Sequence, residues 1–130
     1  MYCEKLSEQL TAVDNAAAVS TTTGTTTVTG TAIDGSNYNR LIALSRVTGV
    51  TAATGTWQIQ WQASVVSGFT GTATTVQTCT GGITGGTAAA VTAVQHCEIA
   101  GEDVQSARAA NDRYVRAVLT LTSGSAACTA

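Results

Sequence analysis

In Trp57-Gln58-Ile59-Gln60-Trp61-Gln62-Ala63-Ser64-Val65 every odd position is apolar, and the even positions are glutamine, glutamine, glutamine and serine. Successive side chains of an extended chain point to opposite faces. A period of two therefore lays one face of this segment on an apolar core and turns the other toward solvent or a partner. The pattern predicts a half-buried strand, and with it a β-rich domain.

The pattern returns near the C-terminus. Val115, Ala117, Leu119 and Leu121 alternate with Arg116, Thr120 and Thr122. Together with Trp57, Ile59 and Trp61 they form the expected core. Val91, Ala93, Cys97 and Ile99 share one parity less cleanly, because Gln95 interrupts them. Leu41 to Val47 is apolar at both parities (Leu41 and Ala43 against Ile42 and Leu44), which predicts a central strand covered on both faces. Thr25 to Ile33 reads as an edge strand, with Asp34-Gly35 as the turn that ends it. Threonine-glycine pairs at Thr23, Thr29, Thr48, Thr54, Thr70, Thr80 and Thr84 punctuate the chain without a fixed period, so it is not a solenoid repeat. Short strands divided by such turns predict an all-β sandwich or barrel.

Two segments read as helical. Tyr2, Leu6, Leu10 and Val13 fall near one helical face. Glu102 to Ala110 begins with two acids after Gly101 and carries Arg108 near its end, which suits the helix dipole. Asp14 to Thr27 is an Ala/Thr/Ser/Gly stretch with the composition of a linker. The expected organisation is an N-terminal arm and linker over residues 1–27, followed by a sandwich with one short helix over residues 28–130.

The 130 residues suit one domain, and only 11% of them are charged, against about 25% in a typical soluble chain. Twenty-five threonines and 13 glycines stand in place of that charge. The composition opposes charge-driven disorder. No apolar run is long enough for a membrane-spanning helix. A net charge of −2 opposes a protein that works mainly by neutralising nucleic-acid phosphates. MYCEKLSEQL lacks the basic and apolar regions of a secretory signal, and the four cysteines (Cys3, Cys79, Cys97, Cys128) are sparse. Synthesis in a reducing cytoplasm with free thiols is the expectation.

Catalytic motifs are missing. The chain has no G-x-S-x-G, no P-loop and no G-x-G-x-x-G. His96 is the single histidine; its neighbour Cys97 lies on the opposite parity, and no C-x2-C spacing supports zinc. A solvent-facing His96, no metal and no cofactor are expected. Glu102 and Asp103 read as helix N-terminal charge rather than a catalytic pair. Arg108, Arg113 and Arg116 are the one basic concentration and are candidates for a subunit or partner interface. Trp57 and Trp61 would make a sugar-stacking platform if exposed, but Ile59 and Val65 on the same face favour core packing. The T-x-T stretch over Thr25 to Thr31 lacks the regular continuation of an ice-binding array.

The order of features resembles the small decoration, or cement, proteins of tailed bacteriophage heads. The resemblance runs from the arm Leu6-Ser7-Glu8-Gln9-Leu10-Thr11 through Ile33-Asp34-Gly35 to Trp57-Gln58-Ile59-Gln60-Trp61-Gln62 and Ser67-Gly68-Phe69-Thr70. It closes on Asp112-Arg113-Tyr114-Val115-Arg116-Ala117-Val118-Leu119-Thr120-Leu121-Thr122, covering about two-thirds of the chain. It implies a jelly-roll-like sandwich and a homotrimer that clamps the major capsid protein on the virion surface. Its expected contacts are Tyr2, Leu6, Leu10, Val13, Arg108, Arg113 and Arg116, with no enzyme activity. The chain departs from that pattern in having no proline, a longer Thr-rich N-terminal segment and the short tail Ser125-Ala126-Ala127-Cys128. A carbohydrate-binding or fibre-associated module is the alternative.

Overall fold

The computed structural model describes residues 20–21, 24–38, 40–49, 54–71, 73–84, 91–100, 112–123 and 128–129. Among them lie nine strands: β1 (Ser20–Thr21), β2 (Gly24–Thr29), β3 (Ile33–Asp34), β4 (Arg40–Gly49), β5 (Thr54–Ser64), β6 (Thr74–Thr84), β7 (Val91–Ala100), β8 (Tyr114–Ser123) and β9 (Cys128–Thr129). Their sole helical piece is a 3-10 turn, Gly35–Asn37. The helix expected over Glu102 to Ala110 and the arm bearing Tyr2, Leu6, Leu10 and Val13 lie outside the described residues.

The strands form two antiparallel sheets. Sheet A has the order β1-β9-β4-β7, and sheet B the order β2-β8-β5-β6 with β3 paired to β8 beyond β2. The deciding strand, β5, sits inside sheet B. Trp57 stands opposite Leu121 on one side and Gly81 on the other. Such a strand has both backbone edges paired, so its side chains alone decide which face meets the core. From Trp57 to Ala63 they do so as the alternation requires: Trp57, Ile59, Trp61 and Ala63 are buried, and Gln58, Gln60 and Gln62 are not. The alternation ends there, because the strand stops at Ser64, which is buried, and Val65, expected on the core face, is exposed in the turn that follows.

The core is the layer between the sheets. Sheet B supplies Trp57, Ile59, Trp61, Ala63, Val115 and Leu121; sheet A supplies Leu41, Cys97 and Ile99. Ala117 and Leu119 are partly buried and pack against this cluster. Packing of one sheet against the other explains why β8 carries the same apolar parity as β5.

Two local expectations differ from the structure. The linker expected over residues 14–27 contains β1 and most of β2, because threonine on an alternating pattern pairs readily in a sheet. Strand β2 is an edge of sheet B, and Thr25 and Thr27 meet Thr122 and Thr120 across it. Strand β4 is central in sheet A, between β9 and β7, yet it is not covered on both faces. Leu41 is buried on the inner face, whereas Leu44 on the outer face is 64% exposed. β9 pairs with β4 only at Thr48 and Gly49, and a place inside the pairing order does not decide whether a second layer covers the strand.

Candidate functional site

The outward faces of the two sheets differ in chemistry. On sheet B, Gln58, Gln60 and Gln62 of β5 stand beside Thr120, the buried Val118 and Arg116 of β8 and beside Thr80, Thr78 and Thr75 of β6. The hydroxyls of Thr25 and Thr122 are 3.1 Å apart, and the Gln62 amide donates to Gln60 Oε1 at 2.9 Å. Apart from the buried Val118, this face is polar and cross-bonded, with Arg116 as its charge.

Sheet A faces outward with Ile42 and Leu44 from β4 and Val94, His96 and Glu98 from β7. Leu44 lies opposite His96, and Arg46 opposite Val94. Val94 is 67% exposed and Leu44 64%. Arg40 and Glu98 form an ion pair at one end of this face. The result is an apolar strip flanked by polar groups on an otherwise regular sheet. His96 is exposed, as its parity opposite Cys97 requires.

The expected basic group is divided. Arg113 donates through Nε to Asp34 Oδ2 at 2.8 Å, and its Nη2 donates to the same oxygen. Asp34 also accepts from the backbone N–H of Ser36 at 3.1 Å, so it caps the 3-10 turn. The Arg113 guanidinium and the Ser36 hydroxyl hold the Asp34 carboxyl well below the usual carboxylate range. Asp34 in turn raises the Arg113 pKa. Arg116 donates through Nε to Gln62 Oε1 at 3.0 Å and lies over the Phe69 ring, 4.1 Å from its centroid. Both cations are thus engaged within their own chain, and Arg108 lies outside the described residues.

Phe69 belongs to the turn between β5 and β6 and has a φ of 51°. A side chain other than glycine seldom adopts that conformation. Stacking under Arg116 is what the turn gains from it.

The cysteines correct an expectation. Cys79 of β6 and Cys97 of β7 form a disulfide with Cα atoms 5.6 Å apart, a span within the range a disulfide bridges. Free thiols therefore do not describe this pair. Cys97 points inward from sheet A and Cys79 inward from sheet B, so the bond crosses between the layers. Sequence parity marks Cys97 as buried, but it cannot say which strand lies across the gap.

Trp57 and Trp61 are 7% and 2% exposed, and offer no stacking platform. Among the described residues no three His, Cys, Asp or Glu side chains gather as a metal site, and no helix is long and apolar enough to cross a membrane. No protein family, curated protein or solved structure matches the chain.

Proposed function

We propose that this protein is a structural component of a phage head, a decoration protein that reinforces the shell by bridging copies of the major capsid protein. The observation that carries the reading is the outward face of sheet A, where Leu44 and Val94 are 64% and 67% exposed on a rigid antiparallel sheet. An apolar strip rimmed by charged and polar groups fits a binding surface. A protein of this kind acts by surface complementarity, and the chain carries none of the nucleophile or phosphate-binding motifs of the common enzyme classes.

Strand order supports the finer, jelly-roll-like reading. With β3 set aside, one sheet runs 1-9-4-7 and the other 2-8-5-6, so that successive strands, β5 and β6 excepted, cross between sheets as in the paired Greek keys of a jelly roll. Self-association as a homotrimer would multiply individually weak capsid contacts into a stable attachment. The low charge of the chain suits a subunit that buries much of its surface in an assembly.

The test is to mix purified protein with undecorated, expanded heads and to sediment them. Saturable co-sedimentation, with the heads then resisting heat better, is the expected result. Protein that stays in the supernatant but is retained on a glycan column would replace this reading with a carbohydrate-binding one.

A further inference from the structure

We infer that the outward face of sheet A takes a protein surface that is apolar and carries an aspartate or glutamate, and that Arg46 is the residue that recognises this carboxylate. The inference rests on the capsid reading above and adds to it the chemistry of the contact on the partner's side.

The first observation is the layout of the face. Arg40, Ile42, Leu44 and Arg46 share one parity of β4, and Ala100, Glu98, His96 and Val94 stand opposite them in that order. Leu44 and Val94 are therefore diagonal neighbours, about 7–8 Å apart, and form the exposed apolar centre. A charge stands at each end. At one end Arg40 and Glu98 hold each other. At the other, Arg46 is exposed, opposite Val94 and about 7 Å along β4 from Leu44.

The second observation is how the charges of the described residues are disposed of. Asp34 takes Arg113, and Glu98 takes Arg40. Arg116 donates to Gln62 and lies over Phe69. Asp112 is buried. Arg46 alone has no ion pair, side-chain hydrogen bond or ring contact among the described residues. The carboxylate of its own face, Glu98, stands opposite Ile42, about 13 Å farther along the strands. His96, diagonal to Arg46, supplies no negative charge. The cation beside the apolar centre is thus the one that the fold leaves unneutralised.

A partner that covers Leu44 and Val94 also takes water from beside Arg46. A guanidinium desolvated without a partner loses free energy. A carboxylate restores it through two parallel N–H···O bonds, which the planar fork of arginine is shaped to make. A nucleic-acid or phosphate-rich surface needs several cations acting together, and this face offers a single free one on a chain of net charge −2. The fitting anion is therefore one acidic side chain. Apolar contact by itself is non-directional. A charge at one end of the strip fixes which way round the partner docks.

The test mixes the full chain with undecorated, expanded heads, as native protein and as Arg46→Glu and Arg46→Lys. Because Arg46 serves no contact within the described fold, both variants should unfold at the native urea midpoint. Arg46→Glu should weaken saturable co-sedimentation by about tenfold or more, since two carboxylates then face each other. Arg46→Lys keeps the charge and places an amine that a carbodiimide couples to a touching carboxylate. Lys5 is the natural lysine of the chain, so coupling through position 46 is distinct on peptide mapping. The expected conjugate joins that peptide to an aspartate or glutamate of the major capsid protein, and it decides the matter even where Arg46→Glu does not fold. Folded Arg46→Glu that binds as tightly as the native chain, or bound Arg46→Lys that yields no such conjugate, would overturn the inference and leave capsid attachment standing. Native protein that does not bind heads would overturn the attachment reading, and this inference with it.

Discussion

The indole nitrogen of Trp61 donates a hydrogen bond to the backbone carbonyl of Cys97 at 3.1 Å, across the gap between the sheets. Both residues are essentially excluded from water, at 2% and 0% exposure. The contact joins β5, inside sheet B, to β7, an edge strand of sheet A. Cys97 is also half of the disulfide, so one residue is held by a covalent bond and by a buried hydrogen bond.

Replacing Trp61 separates these contributions. Trp61→Ala removes the ring and should cost about 3–5 kcal/mol. Trp61→Phe keeps much of the packing but leaves the Cys97 carbonyl without its donor, for about 1–3 kcal/mol. Urea unfolding of the two variants checks the order. In the native protein, tryptophan emission should be blue-shifted and poorly quenched by acrylamide; free quenching of both indoles would contradict their burial.

The Cys79–Cys97 bond closes a sequence separation of 18 residues. In the chain-entropy account a loop of that size is worth roughly 3 kcal/mol. Cys79→Ala with Cys97→Ala, or dithiothreitol treatment, should lower the unfolding midpoint accordingly. Alkylation of the native, unreduced protein should leave both cysteines unmodified on peptide mapping.

Acid should weaken the turn at Asp34. The Arg113 guanidinium and Ser36 depress the folded-state pKa of this carboxyl below its ordinary 3.8. The folded form therefore binds its proton less readily than the unfolded form, and stability is lost as pH falls. The contribution is whole above about pH 4 and erodes below it. Asp34→Asn should be less stable than the native protein at pH 7, and the gap should narrow in urea titrations carried toward pH 2. Arg113, whose pKa the Asp34 carboxylate raises further, stays charged throughout and adds no slope in that range.

Gly81 sits across the β5–β6 pair from Trp57, and a β-carbon there would lie 2.5 Å from the indole nitrogen. The ring covers the glycine. Gly81→Ala should displace Trp57 and cost about 1–3 kcal/mol by overpacking, seen as a lowered melting temperature. Gly82 has nothing within 4 Å of the corresponding position, so Gly82→Ala is the matched control and should change little.

Much of the sandwich was legible in strand parity. Trp57, Ile59, Trp61 and Val115 each declare their face within a few residues, because alternation is a local property. Pairings between distant segments were not legible. Nothing near Asp34 announces Arg113, which lies 79 residues away in sequence, and nothing near Cys79 announces Cys97. The outer face of sheet A illustrates a different limit. Ile42 and Leu44 carry the hydropathy of buried residues, and only the layer count decides whether anything covers them. The interface role expected for Arg113 and Arg116 rested on charge and on a resemblance; their partners Asp34, Gln62 and Phe69 within the chain become visible once β3, β5 and β8 are assembled.

Strands β6 and β7 are the free margins of sheets B and A, and the disulfide ties one margin to the other. Two copies of a sandwich can trade a marginal strand and dimerise through domain exchange. Here β7 cannot leave its own β6 without breaking a covalent bond, so swapping is closed on that flank. The opposite flank has no such bond among the described residues: β1 is held by two residue pairs to β9, and β2 by six to β8. Any exchange of segments between neighbouring copies must therefore begin at the N-terminal side of the fold, where the chain enters and the pairing is shortest.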